Sequence, residues 1–281
     1  MIPAAFDYYR PGTLKEAVGL LAKHGDDAKV LSGGHSLIPA MKFRLAEPAV
    51  VVDIGGIPKL REIREVGGKI AIGALVTHYD IESSKLLAKK CPLLTELAPQ
   101  IGDAQVRNRG TLAGSLAHAD PAGDWPAAML ALDAEIYLVG ASGKRRVKAS
   151  GFFVDLMETA LEPGEIVSEI RVPVTGKSVA YVKFAQKASG FAIAGVAVVL
   201  DKKKGAAKVG VTGVAATAFR AAAVEKELKR HKKLTKKAIA GAAALTMEGV
   251  EPMGDIHASE DFRAHLARVH VQRALELAAR R

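Results

Sequence analysis

SGGHSLIPAMKFRLAEP, residues 32–48, and RNRGTLAGSLAHADPAGDWPA, residues 107–127, are the glycine-rich stretches on which the reading of this sequence turns. Tandem Gly33 and Gly34 let backbone N–H groups turn toward an anion with no Cβ in the way. Ser32 and Ser36 add hydroxyl donors. The loop runs from a strand pattern (Lys29–Leu31) into a helical one (Leu37–Arg44), a natural position for a phosphate. An ordinary tight turn would use the same residues. The second stretch is long, polar and rich in small side chains, so a flat cofactor or a pyrophosphate can lie against its main chain. Asp124 is suited to accept hydrogen bonds from ribose hydroxyls. Asp120 is suited either to that or to capping a helix that starts near Pro121.

Working outward, residues 1–55 read β-α-β-β, with an amphipathic helix from Thr13 to His24 and a buried strand from Ala49 to Asp53. Residues 56–176 hold a strand at Lys69–Gly73 and helical patterns at His78–Lys89 and Cys91–Gln100. The glycine-punctuated stretch from Gly102 to Asp124 follows, then a helix at Trp125–Leu132. A hairpin joins Ala134–Val139 to Lys144–Lys148, and a strand covers Glu165–Val172. Residues 177–281 give three antiparallel strands (Ala180–Ala185, Ile193–Asp201, Ala207–Val214) with a turn at Lys202–Gly205. Helices follow over Ala221–Lys232, Thr235–Glu248 and Asp261–Ala279. The class is α+β.

Composition narrows the chemistry. With 281 residues, 49% of them hydrophobic, the chain can bury a substantial core. No apolar run is long enough for a membrane span, and the opening MIPAAFDYYRPGTLKEA does not read as a secretory signal. The single Cys91 fits a reducing cytoplasm and cannot by itself ligate an iron–sulfur cluster. HExxH, paired CxxC, GxGxxG and GxSxG patterns are all missing, so zinc, Rossmann-type dinucleotide and hydrolase sites are not expected. Thr175–Ser178 resembles the end of a P-loop, but the required first glycine falls on Arg171. Residues 1–176 carry 20 Lys+Arg against 21 Asp+Glu, and residues 177–281 carry 20 against 9. The basic excess therefore lies in the last third. Without a nucleic-acid motif, and with 5% aromatics, it reads as a solvated face or a dock for an acidic protein rather than a nucleic-acid site.

The two loops together resemble the FAD-binding medium subunit of the carbon monoxide dehydrogenase and xanthine dehydrogenase (molybdenum hydroxylase) family. The resemblance extends to PAAFDYYRP at the start and EPMGDIHASEDFRAHLARVHVQRAL near the end. It implies a two-subdomain FAD-binding fold of the vanillyl-alcohol-oxidase type (1–55 and 56–176) plus a C-terminal α+β domain (177–281) with a three-stranded antiparallel sheet and helices. It also implies that Ser32, Gly33, Gly34, His35 and Ser36 line the first pyrophosphate loop, and that Thr111, Gly114 and Ser115 line the second. Leu37 and Ala119 join the FAD-contacting set, Asp124 faces the ribose or adenosine, and Ile166 and Lys183 lie near the isoalloxazine. Phe191 stands where relatives often carry Tyr against the flavin. Ala113 replaces a frequent glycine, which is tolerable only if φ there is not positive. His35 and His118 are read as hydrogen-bonded within their loops, His265 and His270 as surface or packing residues, and Cys91 as a buried inert thiol.

The resemblance implies an electron-transfer oxidoreductase subunit. The substrate is oxidised on a separate large molybdopterin subunit, a small subunit with [2Fe-2S] clusters relays electrons, and the FAD of this chain passes them to quinone, NAD or oxygen. The expected assembly is a dimer of heterotrimers, cytoplasmic, with peripheral attachment to the inner membrane face as a variant of that placement. The alternatives are a stand-alone FAD-dependent oxidoreductase and a basic-domain binding protein that merely keeps the fold.

Overall fold

A computed structural model describes residues 1–231 and 233–281. The chain opens with β1 (Asp7–Tyr9), α1 (Leu14–His24), β2 (Ala28–Leu31), α2 (Leu37–Lys42) and β3 (Val50–Asp53), and the strands form a parallel sheet in the order β1-β3-β2. Thr13 caps α1 by accepting from the Glu16 amide, and the helix buries Ala17, Val18 and Leu21 against the sheet.

The next unit contains β4 (Ile63–Val66), β5 (Lys69–Gly73), α3 (His78–Glu82), α4 (Lys85–Lys90), α5 (Pro92–Leu97), α6 (Ala104–Arg109), α7 (Leu112–His118) and α8 (Trp125–Ala131). Then come β6 (Glu135–Gly140), β7 (Gly143–Lys148), the short hairpin β8 (Phe153–Asp155) and β9 (Glu158–Thr159), and β10 (Ile166–Pro173). Five of these strands make an antiparallel sheet, β4-β5-β10-β6-β7. The helix expected over 78–89 is broken at Ser83–Ser84. Thr77 and Asp80 form a capping box that starts α3, and the Ser84 hydroxyl starts α4 by accepting from the Leu87 amide. The stretch 102–124 is largely helical, as α6 and α7, each capped by its own side chain (Asp103, Thr111).

The last unit is β11 (Val179–Ala185), β12 (Ala192–Asp201), β13 (Ala206–Thr212), β14 (Phe219–Arg220), α9 (Ala222–Leu228), α10 (Lys236–Ala243) and α11 (Glu260–Arg280). Its antiparallel sheet has four strands, not the three expected. Phe219–Arg220 pairs with Val211 and Gly210, and a two-residue strand leaves no alternation to read. The helix expected over 221–232 spans Ala222–Leu228, and its expected end at Lys232 lies outside the described residues.

Helix α8 links the second unit to the C-terminal sheet. All seven residues of WPAAMLA are buried, as a helix apolar on every side must be. It packs on β12 and β13, whose opposite face is covered in part by α11, which explains why AIAGVAVVLD in β12 is apolar almost throughout rather than alternating. The approach is close. A Cβ on Gly210 of β13 would sit 2.0 Å from the Ala127 carbonyl oxygen of α8. Gly210→Ala therefore has to push α8 off the sheet, with an expected loss of about 2–3 kcal/mol. The check is the urea midpoint at unchanged slope; an unaltered midpoint means that α8 does not bear on β13 as described.

Candidate functional site

The two glycine-rich loops meet. The segment after β5 acts as a rail for the second loop: the Leu112 amide donates to Val76 O (3.2 Å), the His78 amide to Gly110 O (2.9 Å), and Thr77 and Thr111 form an isolated antiparallel bridge. Ser32 of the first loop reaches Thr111 across 3.1 Å, hydroxyl to hydroxyl. Gly33 is required here for a reason other than anion approach. A Cβ on it would lie 2.1 Å from the Arg109 carbonyl oxygen, so the first glycine lets the two loops touch. Gly34 has φ +81°, a conformation suited to glycine. His35 Nδ1 lies 3.3 Å from Gly33 O, and His118 faces Asp120 at 3.9 Å, so both histidines engage their own loops.

A cavity of about 120 Å³ opens where the loops meet. It is lined by Ser32, Gly33, Thr111, Thr77 and Asn108, with Arg10, Arg61 and Arg109 around it and one carboxylate, Asp53, which lies 3.7 Å from Arg10. Water occupies about 30 Å³ per molecule in the liquid, so the cavity has the scale of one phosphate group rather than of a dinucleotide. Hydroxyls and guanidinium groups suit an anion. These residues fit the pyrophosphate end of FAD; a flat ring system has to lie along more open surface. Arg10, Arg61 and Thr77 were not legible as site residues, because they come from segments outside both glycine-rich stretches and reach the cavity only in the fold.

The far end of the second loop is gripped by the C-terminal sheet. Thr212 Oγ1 donates to Pro121 O (2.9 Å) or Gly123 O (2.7 Å), the Gly213 amide donates to Pro121 O (2.8 Å), and the Ala192 amide to Ala122 O (3.2 Å). Asp120 neither caps α8 nor points away: its carboxylate accepts from the Ala122 amide at 2.8 Å and closes the turn. Ala119 ends α7 in the left-handed region (φ 51°). Ala113 lies inside α7 with negative φ, so its methyl group is accommodated.

Asp124 and Lys183 come together. Both are buried, 2.9 Å apart, and Asp124 also accepts from the Tyr181 hydroxyl. Burial pushes the Asp124 carboxyl above its ordinary range while Lys183 and the hydroxyl pull it back, and burial beside that carboxylate raises Tyr181 well above a free phenol. The Lys183 ammonium donates as well to Gln100 O (2.5 Å) and Gly190 O (2.8 Å), so its three protons are committed to protein oxygens. Tyr181 and Lys183 alternate on one face of β11, a period-two signal that could have linked them. Gly190 precedes Phe191, whose ring is half-exposed (52%). Ile166 is buried at the start of β10, opposite Val139. Gly114 and Ser115 sit in the first turns of α7, and Leu37 opens α2.

His78 ties the two ends of the second loop. The Trp125 indole donates to His78 Nδ1 (3.1 Å), and a Cβ on Gly110 would lie 2.7 Å from His78 Nε2. Desolvation, with help from His35 and Arg107, lowers its pKa from 6.5 to about 4. Cys91 is buried, and burial pushes its thiol up to about 12, an inert group. His270 is a packing residue, buried on α11 with Nδ1 2.9 Å from Leu266 O. Among the described residues, no group of three or more His, Cys, Asp or Glu is placed to hold a metal ion, and no helix is long and apolar enough to cross a membrane.

Comparison with known proteins agrees with this geometry. Residues 4–175 match the family described as "FAD binding domain in molybdopterin dehydrogenase", and residues 179–278 the "CO dehydrogenase flavoprotein C-terminal domain". The chain belongs to the molybdopterin-dehydrogenase flavoproteins. This flavoprotein is 42% identical to the carbon monoxide dehydrogenase medium chain of Hydrogenophaga pseudoflava, covering 99% of this chain and 98% of that one. It is 38% identical to the 6-hydroxypseudooxynicotine dehydrogenase complex subunit alpha of Paenarthrobacter nicotinovorans, covering 100% and 97%. Its structure matches that of the Hydrogenophaga pseudoflava carbon monoxide dehydrogenase lacking the Mo-pyranopterin moiety of the molybdenum cofactor, with a TM-score of 0.95 at 43% identity over 99% of this chain and 98% of that one. The flavoprotein is thus an oxidoreductase subunit whose cofactor is FAD.

Two outcomes follow from the site. His78 is neutral when folded, so its contribution is fully present above about pH 6.5 and is lost as pH falls toward about 4. That window is worth about 3 kcal/mol at 1.36 kcal/mol per unit. In His78→Gln the fall in stability between pH 6.5 and 4, followed by chemical denaturation, should flatten; an unchanged slope refutes the neutral, buried assignment. Lys183→Met strands a buried carboxylate, and about 3–5 kcal/mol of stability should go with it. Pairing it with Asp124→Asn should recover most of that loss in a double-mutant cycle, and strictly additive losses would mean that the two groups do not interact.

Proposed function

We propose that this flavoprotein is the electron-transfer subunit of a carbon monoxide dehydrogenase-like molybdenum hydroxylase. It would take electrons from the [2Fe-2S] clusters of a small subunit, while the substrate reacts on a large molybdopterin subunit. Quinone, NAD or oxygen would be the final acceptor, and the assembly a cytoplasmic dimer of heterotrimers. The observation that carries this is the joining of the two loops, Ser32 to Thr111, beside a guanidinium-rimmed cavity of phosphate size. FAD supplies exchange of one or two electrons at its ring. The chain's own residues do the holding. The loop amides and the hydroxyls of Ser32, Ser36, Thr111 and Ser115 would hold the pyrophosphate, the arginines would balance its charge, and the Asp124–Lys183 pair fixes the end of the second loop. Lys183 acts through the protein, since its protons are taken, and its positive charge would act on the ring as a field rather than a hydrogen bond. The ring of Phe191 offers a face without a hydroxyl. The division into subdomains 1–55 and 56–176 and a domain 177–281 fits the three main sheets, which lie within those bounds.

The test uses the complex and the chain alone. Addition of substrate without oxygen should bleach the flavin band, near about 450 nm, only when all three subunits are present. Substrate oxidation by the isolated chain would replace this reading with that of a stand-alone oxidoreductase. Gly33→Ala, which drives a methyl group into Arg109 O, should lower FAD content at least tenfold; full flavin occupancy in that variant would detach the loops from the cofactor.

A further inference from the structure

The positive charge of the chain is concentrated in one place. Residues 201–237 carry 12 Lys+Arg against 3 Asp+Glu, a net +9 of the whole chain's +10. Lys208 and Arg220 of this segment are paired with Asp133. Most of the remainder faces solvent. Lys202, Lys203 and Lys204 are exposed on the turn between β12 and β13, which Asp201 closes by accepting from the Lys203 and Lys204 amides (3.1 and 3.2 Å). That turn meets the link from α9 to α10, since a Cβ on Gly205 would lie 3.7 Å from His231 O. Lys229 and Arg230 follow α9 on one side of the link, and Lys236 and Lys237 open α10 on the other; all four are exposed.

An ordinary solvated face mixes both signs of charge. Here, among the described residues, Asp201 reaches Lys204 (3.9 Å) and Glu227 reaches Arg230 (2.9 Å), while Lys202, Lys203, Lys229, Lys236 and Lys237 form no ion pair. Two of these cations also stand where the fold disfavours them. Lys236 and Lys237 occupy the first turn of α10, where the helix dipole favours carboxylates and no acidic residue is present. Charge kept at a position that costs stability points to a use outside the fold. Composition selects the occupant. A lysine ammonium is a hydrated point charge on a flexible stem, which suits a fluid layer of many anions. Nucleic acid and fixed carboxylate patterns are met better by arginine forks and stacked aromatics. Phe219 is the single Phe, Tyr or Trp between 201 and 237, and it is half-buried in β14.

We propose that this basic end of the C-terminal domain seats the flavoprotein on an anionic lipid bilayer. Each lysine near such a surface multiplies partitioning by about fivefold. The patch lies at the Asp201 end of β12, whereas the second loop is held at the Ala192 end, through Ala122 O. The strand separates the two by about 30 Å, so a bilayer on the patch leaves the cofactor end free. The inference goes beyond the electron-transfer reading and does not depend on it.

The test is co-sedimentation of the whole complex with vesicles, phosphatidylcholine alone against phosphatidylcholine with one third phosphatidylglycerol. The wild type should partition at least tenfold more strongly into the anionic vesicles at low salt, and the excess should shrink as salt rises. Lys202→Glu/Lys203→Glu/Lys236→Glu/Lys237→Glu should abolish the excess. Lys202→Arg/Lys203→Arg/Lys236→Arg/Lys237→Arg should keep it, because the contact needs charge and not one side-chain shape. In both variants FAD per chain, subunit content and substrate-driven flavin reduction should match the wild type. The melting temperature of the glutamate variant should not fall, since an acidic first turn suits the α10 dipole. Equal partitioning of the wild type into both kinds of vesicle, or an undiminished excess in the glutamate variant, overturns the proposal. Loss of a partner subunit from the glutamate variant on size-exclusion chromatography assigns the patch to an acidic protein face, and tighter binding to duplex DNA than to anionic vesicles assigns it to nucleic acid; either overturns it. Failure of substrate to reduce the flavin in the wild-type complex overturns the proposed function instead and leaves the lipid result standing.

Discussion

An ammonium group taken out of water has to find an acceptor for each proton and a counter-charge close by, and the surroundings of Lys183 are built to supply them. Asp124 comes from the second loop, Gln100 O from the turn after α5, and Gly190 O from the link between β11 and β12. Three segments distant in sequence are held at one point as a consequence. The Tyr181 hydroxyl occupies another position on the same carboxylate oxygen, and Thr212 and Gly213 fix the carbonyls just before Asp124. The shape of the second loop thus depends on the C-terminal sheet, although its residues belong to the FAD-binding domain. This explains why the C-terminal unit is packed so tightly on α8 and is not a loosely tethered appendage.

The same dependence bears on how a cofactor potential is set. A lysine that hydrogen-bonds a flavin edge and a lysine that is buried behind a loop both favour negative charge on a reduced ring, but the second does so through distance and dielectric. It also holds Gly190, and through it the backbone of Phe191. On the proposed reading one residue therefore combines an electrostatic and a positional effect on the same ring. Removing it would change both, and a shift in potential alone cannot be assigned to charge without a variant that preserves the Gly190 contact.

Most of the architecture could be read from pattern, and the failures have physical causes. The strands of 179–212 and the helix from Thr13 were legible because burial on one side imposes a period and caps mark the ends. The fourth strand, Phe219–Arg220, was not, because two residues carry no period. The continuous helix expected over 78–89 failed at Ser83–Ser84, where serine capping outweighs the apolar pattern. The first loop was legible as a loop, the second stretch is largely the helices α6 and α7, and the role of Gly33 was not legible. Its lost side chain makes room for Arg109 O, a contact some 75 residues away in the chain that no local rule reveals. His78 gave no motif at all, and only the fold shows it between Gly110 and Trp125.

On the proposed reading the pyrophosphate lies where the two loops meet and the ring along more open surface, and the asymmetry follows from what each half must do. A pyrophosphate is held best by many short, fixed donors, so it belongs where two loops close on one another. A ring that exchanges electrons with other chains needs an accessible edge and an apolar rim on which those chains can seat. Phe191, half-exposed beside the Lys183 cluster, has that character on the proposed reading. An enzyme acting alone on its own substrate would be expected to cover it, because exposed aromatic surface beside a reactive ring admits water and oxygen and returns nothing in stability. Its exposure is in keeping with the proposed function, in which another protein completes the site.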